Sequence, residues 1–269
     1  MIWFEGRLSE GGTIPLEAGD RGLLLGDGVF ETIGVFNRIP FALAAHLSSL
    51  SAAAKELGFE VPRAAVERAI DDLLAAMTGP HAAIRVTVSR GAGPRGLPPP
   101  ADPRPVVLAS LAPWSPAIAF QPVTLATVSL RRNETSPLSR LKTLAYLDNV
   151  LALAEAKRAG ADDALMLNTR GAVASSAMAN LFAVVDGRLV TPPVADGVRP
   201  GIMRACLIER AGAVERCLDP GEIAAAPLFL TNSLRLLSPV AALDGRALPP
   251  VPSRFAILVG EACGLRSGV

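Results

Sequence analysis

Histidine is nearly absent from this chain. Of 269 residues two are histidine, His46 and His81, and three are cysteine, Cys206, Cys217 and Cys263. A serine–histidine–acid triad or a histidine-rich metal cluster is therefore poorly supplied, and no metal site is expected. His81 follows Gly79-Pro80 in a turn, and His46 fits a helix-packing or surface group better than a base. The cysteines lack metal-ligand spacing, and their odd number argues against a disulfide framework; they read as small core or surface hydrophobes. Net charge is only +1, so no basic excess points to nucleic acid or an acidic membrane as partner. A long uninterrupted apolar run is missing too. Residues 105–130 carry no charge, but Pro105, Pro113, Pro116 and Pro122 break them, whereas a spanning helix needs roughly 20 mostly apolar residues. The N-terminal Met1-Ile2-Trp3-Phe4-Glu5-Gly6-Arg7 lacks the basic start and apolar stretch of a secretion signal, so a cytoplasmic location is expected.

What is present suits a large α/β core. Helices are predicted near 43–57 and 62–78, and strands at Ala83–Ser89 and Val106–Ala109. Leu111-Ala112-Pro113-Trp114-Ser115-Pro116 is too rich in proline for regular structure. It marks a boundary, with a small first domain over 1–111, a linker over 112–121 and a larger domain over 122–269. No internal repeat or low-complexity segment interrupts this plan. Gly91-Ala92-Gly93-Pro94-Arg95-Gly96 matches the spacing of a dinucleotide-binding loop, but that loop must open a helix, and Leu97 is followed by three prolines. A nucleotide reading fails there.

Lys142 is the residue with the most chemical promise. Behind it, Leu144, Leu147, Val150, Leu151 and Ala154 recur at helical spacing up to Arg158, and Gly160 supplies a C-terminal cap. Ala164–Leu167 reads as a buried strand, Asn168–Gly171 as a turn, Leu181–Val185 and Leu189-Val190 as strands joined by Asp186-Gly187. A lysine at the start of such a helix sits on rigid elements. Free lysine titrates near ~10.4, and partial burial lowers that value enough to release a nucleophilic amine. A surface lysine at a helix start is the plain alternative. Further on, Gly201-Ile202-Met203-Arg204 opens a helix to about Ala211, and the unpaired N–H groups of such a start make an anion site.

Seven islands of sequence, taken in order, resemble the fold-type IV enzymes of pyridoxal 5'-phosphate, the class IV aminotransferases. They are Asp20-Arg21-Gly22, Gly26–Glu31, Ser89-Arg90-Gly91 with Arg95, Lys142 with its helix, Gly171–Phe182 with Thr191-Pro192, Gly201–Arg204, and Thr231–Leu234 with Pro239-Val240. That family contains branched-chain and D-amino-acid transaminases and aminodeoxychorismate lyases. The resemblance implies an α/β (α+β) two-domain fold like that of D-amino-acid aminotransferase, with the lysine on the larger C-terminal domain. It implies that Lys142 is the Schiff-base lysine and the carrier of the substrate α-proton. It assigns the phosphate to the N–H groups of Ile202 and Met203 and the hydroxyl of Ser233. Arg95 is the matching carboxylate binder, the alternative being an exposed arginine in a loop. Phe30 and Leu234 fall on the substrate side. Tyr146, the only tyrosine, either reaches the cofactor's phenolic oxygen or packs half-buried. A small amino substrate and a homodimer are implied as well.

The chain departs from the family pattern at three places. Ser49 stands where an arginine contacts the phosphate, Ser175 where a glutamate bonds the pyridine nitrogen, and Ala145 where an asparagine is common. A serine cannot supply the charge that keeps that nitrogen protonated, and losing one charge-assisted bond costs on the order of 1.5–3 kcal/mol. Within the family, Thr231-Asn232-Ser233-Leu234 with Pro239-Val240 is most similar to the aminodeoxychorismate lyases, which release pyruvate from 4-amino-4-deoxychorismate and leave 4-aminobenzoate. Transamination of D- or branched-chain amino acids is the first alternative, and a non-catalytic cofactor-binding homologue the second.

Overall fold

The computed structural model describes residues 1–265; the last four residues of the expected second domain lie outside them. Two compact units are present. The first comprises Met1–Ser115 together with Leu141–Tyr146, and the second Pro116–Arg140 and the chain from Leu147 onward.

In the first unit the elements are β1 (Ile2–Phe4), β2 (Arg7–Ser9), α1 (Arg21–Leu25), β3 (Gly28–Phe36), β4 (Ile39–Pro40), α2 (Leu43–Leu57), α3 (Arg63–Ala75), β5 (Ala82–Ser89) and β6 (Val106–Pro113). The six strands form one antiparallel sheet in the order β2-β1-β6-β5-β3-β4. Strand alternation sorts its residues: Val29, Ile33 and Val35 of β3, and Ile84, Val86 and Val88 of β5, are buried in the core beneath the helices. Leu47, Leu50, Ala53 and Ala54 of α2 and Val66, Ala69, Ile70 and Leu73 of α3 supply the facing stripes at helical spacing.

The second unit holds β7 (Val123–Thr127), α4 (Leu147–Arg158), β8 (Asp163–Leu167), β9 (Val173–Ser176), β10 (Asn180–Val185), β11 (Arg188–Thr191), α5 (Ile202–Ala211), β12 (Val214–Glu215), α6 (Pro220–Ile223), β13 (Leu228–Asn232), β14 (Leu236–Leu243), β15 (Arg246–Ala247) and α7 (Ser253–Ala262). Its sheet runs β12-β11-β10-β13-β14-β7-β8-β9, with β15 paired to β14. Pairings β11–β12, β14–β7 and β7–β8 are parallel and the rest antiparallel.

Two expectations about the lysine need correction. Lys142 does not stand at a helix start, and it does not belong with the second unit. The backbone of Leu141–Tyr146 returns to the first unit, where Phe30 N–H donates to Lys142 O at 2.9 Å and Leu144 N–H to Gly28 O at 2.9 Å. An antiparallel bridge joins Val29 and Thr143. These bonds hold 142–144 extended, so helix α4 begins only at Leu147. The apolar stripe of that helix is also displaced from the core. Asn149, Ala152 and Ala156 are its buried residues, while Leu147, Val150 and Leu151 are 65%, 56% and 48% exposed.

Candidate active site

In the first unit Lys142 projects beside an aromatic pair. Its Nζ lies 4.2 Å from the centre of the Phe30 ring and 5.4 Å from that of Tyr146. The two rings meet edge to face at 5.3 Å, which fixes both around the lysine. Phe30 is 5% exposed, so an ordered apolar wall flanks the amine. A second cation shares that wall. The guanidinium of Arg85, on β5, sits 3.8 Å from the Phe30 ring centre. Packing against the ring strips water from the guanidinium and lowers its pKa, a shift opposed by the neighbouring Tyr146 oxygen. Sequence reasoning passed over Arg85. The signal was there: it is the charged residue of an otherwise apolar and hydroxyl-bearing strand, on the strand face opposite Ile84 and Val86.

Arg95, the carboxylate binder expected from sequence, stands exposed on the loop after β5. That loop is held by Arg21, whose Nη1 donates to the carbonyls of Gly96 and Pro98 and whose Nη2 donates to Leu97 O at 2.9 Å. Asp27 in turn binds the Nε of both Arg21 and Arg90, at 2.8 and 2.7 Å. Burial alone would raise the Asp27 pKa; the bonds from Arg90 and Arg21 outweigh it and bring it below the usual carboxylate value.

Ser49 faces a different partner from the one its sequence position suggests. Its hydroxyl donates to Glu31 Oε1 at 2.9 Å, and Glu31 Oε2 lies 2.9 Å from His46 Nδ1. Glu31 and His46 are 2% and 1% exposed. Because side chains alternate along β3, Glu31 points toward α2 while Phe30 points to the other face with Lys142.

The second unit carries the other candidate groups. Helix α5 starts at Gly201, which has no side chain to cap the first-turn N–H groups of Ile202 and Met203. The space a side chain would take is occupied: a Cβ on Gly201 would lie 2.2 Å from Asn180 Oδ1. Asn180 is pinned there by donating its Nδ2 to Arg199 O at 2.8 Å. Ser175, on β9, is 3% exposed, and its hydroxyl has no hydrogen-bond partner among the described residues. Ser233 and Leu234 lie in the turn between β13 and β14, shaped by Asn232 Oδ1, which accepts from Leu234 N–H at 3.0 Å and Arg235 N–H at 2.8 Å.

The first unit thus presents a half-buried amine against an aromatic wall, and the second an uncapped helix start of the kind that takes an anion. Residues 28–243 match the family model of class IV amino-transferases, and the chain belongs to that family. A curated relative from Mycobacterium tuberculosis, a bifunctional aminodeoxychorismate lyase / D-amino acid transaminase, is 30% identical over 300 aligned positions covering 97% of this chain and 98% of its own. Among solved structures, 4-amino-4-deoxychorismate lyase from Pseudomonas aeruginosa superposes with a TM-score of 0.84 at 33% identity, over 97% of both chains. The PLP-bound form of a hypothetical aminotransferase from Mycobacterium tuberculosis gives 0.86 at 26% identity, over 98% of both. The fold is therefore that of fold-type IV, the protein is a pyridoxal-phosphate enzyme acting on a small amino compound, and its cofactor is pyridoxal 5'-phosphate. The residues present fit that group. Gly201 supplies no side-chain cap to the first-turn N–H groups of α5, the kind of helix start that takes a phosphate, and the buried Ser175 hydroxyl is a polar atom without a partner among the described residues. Among the described residues no helix is long and apolar enough to cross a membrane, and no group of three or more acidic, histidine or cysteine side chains is placed to hold a metal.

Proposed function

We propose that this enzyme is a lyase that eliminates pyruvate from 4-amino-4-deoxychorismate or a close relative of it. The observation that carries this reading is the pair of cations on one ring: Arg85 and Lys142 both pack on Phe30. A substrate that bears carboxylates is held by a guanidinium whose planar fork makes two parallel bonds to such a group. Beside it, Lys142 Nζ takes the proton from the substrate carbon that carries the amine. When bound, pyridoxal phosphate supplies the electron-withdrawing ring that makes this proton acidic. Ile202 and Met203 hold the phosphate, Phe30 and Tyr146 keep water off the amine, and Leu234 borders the substrate. Ser175 leaves the ring nitrogen without a carboxylate, which weakens the electron pull. Elimination would tolerate that better than a full transamination cycle, because the electron pair left when Lys142 takes the proton forms a ring double bond as the C–O bond to the enolpyruvyl group breaks, and the departing enolpyruvate takes up a proton to become pyruvate.

Transamination of D-amino acids is the alternative, supported by the bifunctional relative. A branched-chain substrate offers Arg85 its α-carboxylate alone, and its apolar side chain gains nothing there. In either case the enzyme works as a homodimer, and the exposed stripe Leu147, Val150 and Leu151 on α4 supports that assembly.

The test is a pair of assays on cofactor-loaded protein. Pyruvate release from 4-amino-4-deoxychorismate, outpacing exchange between D-alanine and 2-oxoglutarate, is the expected result; brisk exchange with no pyruvate release from aminodeoxychorismate overturns it. Lys142→Ala should lose the visible band of the lysine-bound cofactor and about 10²–10⁴-fold in rate. Arg85→Gln should raise KM about tenfold with kcat nearly unchanged, as the loss of one charged hydrogen bond used for binding requires.

A further inference from the structure

A cavity of about 590 Å³ in the second unit has no part in the site described above. The hairpin between β10 and β11, the C-terminal end of α5, β12 and the first turns of α7 border it, and it is open to solvent. Its volume falls within the ~300–1,000 Å³ typical of small-molecule sites. Leu189, Val214 and Phe255 give it an apolar floor, and three arginines, Arg188, Arg210 and Arg254, rim it. No acidic side chain among the described residues lines it, and none of the three guanidinium groups makes a hydrogen bond or ion pair among them.

Three unpaired cations around one concavity repel each other, and the cost is lowered only by solvent or by an anion. Arg254 is placed least favourably. It lies in the first turn of α7, where the helix end is already positive, and that turn carries neither an acidic residue nor a side-chain cap. Its guanidinium is held 4.9 Å from the centre of the Phe255 ring, so the charge is kept over the floor. The floor itself is rigid. Phe255 packs on Phe229 at 5.5 Å, and Phe229 stacks on Phe182 at 5.1 Å with the planes 4° apart. The Ile202–Met203 end of α5 and Arg210 near its other end are separated along the helix by about 10–12 Å, so the two are distinct places.

We infer that this cavity is a second ligand site, for a small organic anion with a phosphate or carboxylate group on an apolar, ring-sized body. The arginines bind the oxyanion and the Leu189–Val214–Phe255 floor takes the apolar part.

Calorimetric titration of the cofactor-loaded enzyme tests the inference, since the loaded cofactor occupies the phosphate cradle on α5. The probes are phenyl phosphate, benzoate and inorganic phosphate. Phenyl phosphate or benzoate should bind, and inorganic phosphate, which has no apolar part, more weakly. Which ring compound binds more tightly identifies the oxyanion. Added salt should weaken binding because the arginines are exposed. The double variant Arg188→Gln/Arg254→Gln should lose about tenfold or more in affinity, as expected for removing charged hydrogen bonds. Val214→Trp, which fills the cavity without touching a charge, should abolish binding. Both variants should keep the cofactor's visible spectrum. Absence of binding by either ring compound, or binding of unchanged strength in both variants, overturns the proposal.

Discussion

Asp163 is the acid whose burial has the clearest thermodynamic consequence. It opens β8, is 2% exposed, and its Oδ1 accepts from the N–H groups of Ala164 at 2.8 Å and Ala177 at 3.2 Å. Burial is the largest influence on its pKa and raises it above the ordinary 3.8, the bonds only partly opposing the shift. The sign follows from linkage. Below 3.8 both folded and unfolded chains hold the proton; above it the unfolded chain releases the proton more readily. Stability is therefore lost as pH rises from 3.8 through the raised folded value, and stays lost beyond it. Asn at this position keeps an Oδ1 acceptor for both N–H groups and has no proton to lose. Asp163→Asn should melt higher than the native chain at pH 7, with the difference shrinking to nothing near pH 4. Melting curves across that range check it, and a lower Tm at pH 7 would show that the carboxylate is needed as a charge. The contrast with Asp27 is instructive: there two guanidinium groups reverse the effect of burial, so its contribution to stability is present at neutral pH and lost on acidification. Glu31 is a third case, a buried carboxyl that accepts from Ser49 Oγ and lies against His46 Nδ1, each at 2.9 Å.

At the scale of elements, the entry to α5 joins local chain geometry to the phosphate binding proposed for it. Gly201 leaves no room for a methyl group, because Asn180 fills that space while its amide holds Arg199 O. Gly201→Ala must push the Asn180 side chain off that bond or move the helix start, so it should cost about 1–3 kcal/mol of stability and weaken the cofactor about tenfold. The companion variant Asn180→Ala/Gly201→Ala removes the clash and should recover part of the affinity; a fluorescence titration of cofactor into the single and double variants separates the two effects. Much of this element map was legible in the sequence. Helices α2 and α3 and strands β5, β8 and β10 fall where apolar spacing puts them, because each buries one regular face, and the opening of α5 follows from Gly201. The lysine's own segment was not legible. Leu144, Leu147, Val150 and Leu151 have helical spacing, yet the bonds of Lys142 and Leu144 to β3 come from residues more than a hundred positions away and override it. Local periodicity holds no information about such pairing. The same gap hid what Arg85 faces: the strand pattern marks it as the odd charged residue of β5, but only the fold brings β5 next to Phe30 and Phe30 next to Lys142.

At the scale of the whole molecule, what the helices leave uncovered bears on assembly. Helix α4 turns Asn149, Ala152 and Ala156 inward, and Asn149 is tied down by accepting from Arg132 Nη1 and donating to Ala177 O at 2.6 Å. A buried asparagine fixed at both ends sets the rotation of the helix, and so forces Leu147, Val150 and Leu151 outward. Apolar residues scattered singly on a surface need no explanation, but three within two turns of one helix form a contiguous patch. Burying such side chains against a second copy would contribute about 1.5–3 kcal/mol each. The variant Val150→Glu/Leu151→Glu should therefore shift the protein from dimer to monomer in sedimentation velocity, while circular dichroism stays unchanged because neither residue is part of the core. A native chain that sediments as a monomer at micromolar concentration removes the dimer altogether. A variant that remains dimeric moves the interface elsewhere, the next apolar surface being Leu23, Leu24 and Leu25 on α1, at 63%, 62% and 45% exposure.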